Sequence, residues 1–171
     1  MRLFYAISVP EDIVNKLARQ AAKVKLPWKQ VKPEQMHITL AFMGQVSEEQ
    51  LAEVMQAGEQ AAAACPPFMV EVTGTGCFPK SGPLRVWFAA IQTSDRLKQL
   101  ALHLKSSLKD FTDSMPFKPH ITLARTRKNA NCPPQTAINL SWRVEEIKLF
   151  KSTLTNSGAI HEQLKAFRLA K

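Results

Sequence analysis

The chemistry available to this chain is concentrated in two identical strings, since His37-Ile38-Thr39-Leu40 returns letter for letter as His120-Ile121-Thr122-Leu123. Alternating polar and apolar residues in a β-rich composition read as half-buried strands, so each histidine shares a face with the threonine two residues on. An imidazole and a hydroxyl displayed together twice, on the walls of one cleft, suit a displacement at phosphorus. One imidazole removes a proton from the attacking oxygen and the other delivers one to the leaving oxygen. A lone histidine in a strand is more often a hydrogen-bonded structural residue. Repetition favours chemistry here, because a core has no need of His and Thr on one face in two distant segments. A metal-ligand role is disfavoured, since neither histidine has a carboxylate or second histidine at ligand spacing, and no cofactor is expected.

The elements that must present these residues follow in order. Arg2 to Ser8 reads as a first strand. Ser8-Val9-Pro10-Glu11 has the form of a capping box, opening a helix in which Ile13, Val14, Leu17, Ala21 and Val24 recur at helical spacing. Pro27 ends that helix, Trp28 to Val31 suggests a short strand, and Pro33-Glu34 turns the chain into the strand of His37, which ends at Met43-Gly44. Ser47-Glu48-Glu49-Gln50 is a second capping-box pattern, before a helix that Pro66-Pro67 terminates. Phe68 to Thr73 alternates as a strand, Gly74-Thr75-Gly76 is a turn or bulge, and Arg85 to Ile91 is a buried strand. The Gly-x-Gly lacks the third glycine and following helix of a dinucleotide fingerprint. Thr93 or Ser94 caps a third helix with Leu97, Leu100, Ala101, Leu104 and Leu108 as its apolar face. Pro119 holds the residue before it extended and delivers His120 at a strand start. Thr126 to Pro134, carrying Arg127 and Lys128, reads as an exposed basic loop, either mobile enough to close over a polyanion or plain surface. Trp142 to Lys151 and Glu162 to Leu169 read as two closing strands joined by a turn at Asn156-Ser157-Gly158.

This order predicts an α+β fold of two pseudo-symmetric lobes, each an antiparallel sheet with helices packed on the outside, flanking a central groove. Residues 1–171 are expected to form a single bilobal domain, long enough for a real core. A hydrophobic content of 45% with only 6 glycines argues against disorder. No apolar run approaches a membrane span and the first residues lack a signal-peptide pattern, so a cytoplasmic protein is expected. Cys65, Cys77 and Cys132 are odd in number and widely spaced, which reads as reduced structural thiols. The formal charge of +9 favours a polyanionic partner.

With both strings in place, the sequence resembles the two-histidine phosphoesterase superfamily, and specifically the bacterial RNA 2',3'-cyclic phosphodiesterases, also called 2'-5' RNA ligases. The match runs nearly end to end, through Arg2-Leu3-Phe4-Tyr5-Ala6, Met36 to Gly44, Gly74-Thr75-Gly76-Cys77-Phe78-Pro79, Arg85-Val86-Trp87 and Phe117 to Arg125. The resemblance implies hydrolysis of a 2',3'-cyclic phosphate at an RNA end to a 2'-phosphomonoester, with reversible 2'-5' ligation by the same residues. It implies His37 as proton donor, His120 as proton acceptor, and Thr39 and Thr122 as phosphate ligands. Arg125 matches a basic position of the family, although strict alternation from His120 would turn it to the opposite face. Phe4 is a candidate to stack a base at the groove mouth, and His161 stands where relatives often carry Tyr. The expected partners are RNA ends or nucleotides bearing a 2',3'-cyclic phosphate, with no membrane, and the expected state is a monomer. Competing readings are a non-catalytic protein that binds RNA ends through the same groove, and a two-histidine enzyme acting on 2'-5' linkages or ADP-ribose cyclic phosphate.

Overall fold

The computed structural model describes residues 1–170. Along the chain run β1 (Arg2–Ser8), α1 (Glu11–Ala21), β2 (Lys29–Gln30), β3 (His37–Gln45), α2 (Leu51–Ala63), β4 (Phe68–Phe78), β5 (Val86–Ile91), α3 (Asp95–Ser107), β6 (His120–Arg125), β7 (Ala137–Val144), β8 (Glu146–Thr155) and β9 (Gly158–Arg168). The fold is α+β, as expected, and the two lobes share one antiparallel sheet in the order β7-β4-β5-β6-β3-β1-β8-β9, with β2 added alongside β6. Each lobe contributes four strands to that path, and β6 and β3 meet at its centre. The seam is thin, for Ile38 opposite Ile121 is the register pair that joins the halves. In an antiparallel register centred on that pair, His37 turns toward Thr122 and Thr39 toward His120.

Both isoleucines are fully buried, with Leu40 and Leu123 beside them, so the other face of each strand is left for the polar residues. The helices are exchanged across the seam. Helix α1, which follows β1, packs on β6 of the opposite lobe, while α3, which follows β5, packs on β3. Their apolar stripes, Ile13, Leu17 and Ala21 on one and Leu97, Leu100, Ala101 and Leu104 on the other, belong to the same core as the two isoleucines. Each large side chain buried there contributes about 1.5–3 kcal/mol relative to exposure.

The repeat runs one residue further than the tetrapeptide, to Ala41 and Ala124, and both copies carry the same irregularity. The register of β1 with β3 steps from Tyr5↔Ala41 to Ala6↔Thr39, and that of β5 with β6 from Trp87↔Ala124 to Phe88↔Thr122. Leu40 and Leu123 are thus the extra residues of two equivalent β-bulges. An extra residue reverses the alternation beyond it. Leu-Ala is buried twice in succession, and the next residue, Phe42 in one copy and Arg125 in the other, returns to the polar face.

Several local expectations change in the folded chain. The Ser8 capping box does not form, because Ser8 is still paired with His37 in β1; Pro10 takes the N-cap position without a side-chain bond, and α1 stops at Ala21. The Ser47 box does form, one turn ahead of α2: the Gln50 amide donates to Ser47 Oγ at 3.3 Å and the Ser47 amide to Gln50 Oε1 at 3.0 Å. Ser94 caps α3 by accepting from the Leu97 amide. The stretch from Trp142 to Lys151 is two strands, since the chain breaks at Glu145 and passes from β4 at one edge of the sheet to β1 in the other lobe. Cys77 and Cys132 are joined in a disulfide across 55 residues, which corrects the expectation of three reduced thiols; Cys65 alone is free and buried. Only the tertiary fold brings the end of β4 against the loop after β6, so spacing along the chain could not reveal the pair. Among the described residues, no helix is long and apolar enough to cross a membrane.

Candidate active site

His37 opens β3 immediately after a short 3-10 turn, Pro33–Gln35, and that turn sets its ring. Nδ1 lies 2.6 Å from the Gln35 carbonyl oxygen, which can only accept, so Nδ1 carries a hydrogen. In the neutral ring Nε2 is then an acceptor, and the Thr39 hydroxyl 3.0 Å away donates to it. Gln35 is itself held, its side-chain amide donating to the Ala159 carbonyl in β9. Burial is the main cause that pulls His37 down to about 4, with His161, Arg125 and His120 adding positive charge and the Gln35 carbonyl opposing. One imidazole is in this way tied electrostatically to the other across the seam.

His120 repeats the device. Its Nδ1 donates to the Lys118 carbonyl at 2.7 Å, two residues upstream as in the first copy, so Nε2 carries the lone pair. Burial lowers its pKa, helped by Arg125 and opposed by the Lys118 carbonyl. Two aromatic rings wall it, with Phe78 at 5.1 Å and Phe88 at 5.6 Å between centroids, stacked on each other at 4.1 Å. Gly76 makes that wall attainable, since a Cβ there would meet the Phe88 ring at 2.8 Å.

Thr39, Thr122, His37 and Arg125 line one groove of about 710 Å³ together with Phe4 and His161. His120 adjoins it on the same strand face as Thr122. Arg125 faces this groove, contrary to strict alternation from His120, because the bulge at Leu123 turns it back. Burial lowers its pKa without removing its charge at neutral pH. Phe4 is only 3% exposed; it packs beneath His37 at 5.0 Å and beside Phe150 at 5.3 Å rather than standing at the mouth. His161, projecting from β9, closes the other side of His37 at 5.4 Å, edge-on, and also contacts Phe4 at 4.9 Å. Sequence reasoning missed Lys29 and Lys32 on the rim, Phe42 at one end with the Arg2 guanidinium 5.3 Å over its ring, and the wall of Phe78 and Phe88. Alternation within each strand was the available signal, but it could not say which strands would be neighbours.

No carboxylate lines the groove among the described residues, so its field attracts anions throughout. No three metal-ligating side chains converge among the described residues either. The groove thus presents the His37 imidazole, two hydroxyls and a guanidinium to an anion, with His120 beside Thr122 on the adjoining strand.

This fold and its doubled His-x-Thr motif are those of a two-histidine phosphoesterase. A family model described as LigT like Phosphoesterase matches residues 7–88. A Thermus thermophilus protein named RNA 2',3'-cyclic phosphodiesterase is 37% identical over 99% of this chain and 90% of its own length. An Escherichia coli protein of the same name is 32% identical over 98% of this chain and 96% of its own. Among solved structures, one of a Thermus thermophilus protein superimposes with a TM-score of 0.92 at 36% identity, covering 99% of this chain and 98% of that one. Escherichia coli LigT complexed with 3'-AMP gives a TM-score of 0.87 at 30% identity, with the same coverage. The chain belongs to the LigT-like phosphoesterase family.

Proposed function

We propose that this protein hydrolyses 2',3'-cyclic phosphate ends of RNA to 2'-phosphomonoesters by acid-base catalysis between His120 and His37. The observation that carries the reading is the matched pair of histidines whose Nδ1 atoms are committed to backbone carbonyls, which leaves both Nε2 atoms for proton transfer at one groove. His120 Nε2 takes a proton from water as its oxygen attacks phosphorus. The bond from phosphorus to the 3'-oxygen breaks, and protonated His37 Nε2 gives its hydrogen to that oxygen, leaving the phosphate on the 2'-oxygen.

Thr39 and Thr122 donate to non-bridging oxygens in this scheme, and Arg125 balances the charge that builds on them. Protonating His37 has a second effect. Its Nε2 becomes a donor and releases the Thr39 hydrogen, now available to the phosphate, so the acid and its neighbouring hydroxyl are armed together. Phe4 serves as the floor that orients His37. With a 5'-hydroxyl in place of water the same residues in the same roles form a 2'-5' linkage as the 3'-oxygen leaves, and microscopic reversibility requires that they exchange roles to cleave it. The groove is completed within one chain, which supports a monomer as the active form, and RNA ends of the cytoplasm are the expected substrates.

The test is incubation with an RNA oligonucleotide ending in a 2',3'-cyclic phosphate, followed by phosphorus NMR of the product. A 2'-phosphomonoester is expected. Predominant 3'-phosphate would reverse the roles of the two ribose oxygens, and binding without turnover would favour a non-catalytic RNA-end-binding protein.

A further inference from the structure

The groove does not end at Arg125. A second hollow of about 480 Å³ opens beyond it, shares Lys29, Arg125 and Arg127 with the first, and adds Leu26, Pro27 and Lys128. Four cations and no carboxylate line it among the described residues, while Leu26 stands 85% exposed on its rim. The four cations suit an anionic ligand, and Leu26 offers an apolar contact beside them.

The backbone under this hollow is tied at several points. Thr126, buried, takes its place by donating its amide to the Arg85 carbonyl at 3.1 Å, and its hydroxyl accepts from the Lys128 amide at 3.1 Å. Further along, the Trp28 indole donates to the Asn131 carbonyl at 3.0 Å, and Cys132 is bonded to Cys77. The loop, read from the sequence as either mobile or plain surface, is tied at Thr126, Asn131 and Cys132, which places the backbone of Arg127 and Lys128 beside the hollow.

We propose that this hollow is a second nucleotide subsite, which receives the phosphodiester and base immediately 5' to the reacting end of an RNA strand. The inference rests on the phosphodiesterase reading given above. A 2',3'-cyclic phosphate terminates its strand, so the nucleotide attached to it lies on the 5' side alone. Of the two ends of the groove, the Phe42 end is apolar with Arg2 engaged on its ring, whereas the Arg125 end carries the run of cations a phosphodiester needs. The hollow therefore selects an RNA end over a mononucleotide.

Steady-state kinetics on adenosine 2',3'-cyclic phosphate and on the ApA dinucleotide ending in a 2',3'-cyclic phosphate separate the possibilities. The wild-type protein is expected to favour the dinucleotide in kcat/KM by about tenfold or more, with a steeper fall as salt is raised. Lys128→Gln and Leu26→Ser, which alter only the second hollow, are expected to cut that ratio by roughly threefold to tenfold each while circular dichroism matches the wild type. Equal efficiency on both substrates, or an undiminished ratio in both folded variants, would overturn the subsite and leave the phosphodiesterase reading standing. Hydrolysis of neither substrate would overturn that reading, and the subsite with it.

Discussion

The Thr39 hydroxyl lies 3.0 Å from Nε2 of His37, and because Nδ1 of the same ring already gives its hydrogen to Gln35, the hydrogen between them comes from the threonine. In the resting protein this hydroxyl is therefore directed at the imidazole, and only protonation of His37 turns it outward. Thr39→Val is expected to lower kcat by about 10- to 100-fold, the worth of one hydrogen bond to a charged group, and Thr39→Ser to restore most of it. Comparing kcat for the two variants on a cyclic-phosphate substrate is the measurement; equal losses would mean that the methyl group, not the hydroxyl, matters.

His37→Ala and His120→Ala are each expected to lower turnover by about 10²- to 10⁴-fold with the fold retained. Because both act in one displacement, the double variant should lose less than the product of the single losses. Single-turnover rates for the three variants, alongside their circular dichroism spectra, decide the point.

The pH profile has a stated direction. The second-order rate constant kcat/KM reports the free protein, needs one imidazole protonated and the other neutral, and so is bell-shaped between the two pKa values. With His37 near 4 and His120 also below 6.5, its maximum is expected on the acid side of 6.5. A bound phosphodiester anion favours the imidazolium, so the kcat profile should lie at higher pH. Arg125 lowers both histidines, hence Arg125→Gln should shift both limbs of kcat/KM upward, whereas Arg125→Lys should not. A bell centred well above 7 for the wild type would contradict the assignment.

Acid should weaken the fold through His37. A histidine held neutral when folded binds fewer protons than the unfolded chain between its two pKa values, so stability is full above about 6.5, falls as pH drops from there toward about 4, and levels off below that. The loss is on the order of 3 kcal/mol for this group. Urea unfolding from pH 7 to pH 4 measures it, and His37→Gln should flatten the dependence.

Much of the site was legible because its signal is local. A repeated His-x-Thr in alternating strands gives the residue types, the shared face and the strand starts, and two of the three helices were delimited by Ser47 and Ser94. What escaped notice depends on pairing. The bulges at Leu40 and Leu123 leave no mark in an apolar Leu-Ala dipeptide, yet they decide where Arg125 points. The crossing at Glu145 was hidden because the alternation continues through it, and the depth of Phe4 depends on β3 and β8 flanking its strand on both sides.

The exchange of α1 and α3 across the central seam also governs how the molecule comes apart. Each inner strand is roofed by a helix that enters from the opposite lobe, while α2 covers β8 and β9, so the apolar face at the seam is closed only when both halves are present. A single cooperative melting transition is therefore expected, with the register at Ile38 and Ile121 lost along with either roof. A loosening substitution deep in α3, such as Leu104→Ala, is thus expected to disturb β3 on the far lobe, the strand that carries His37 and Thr39, as well as its own surroundings.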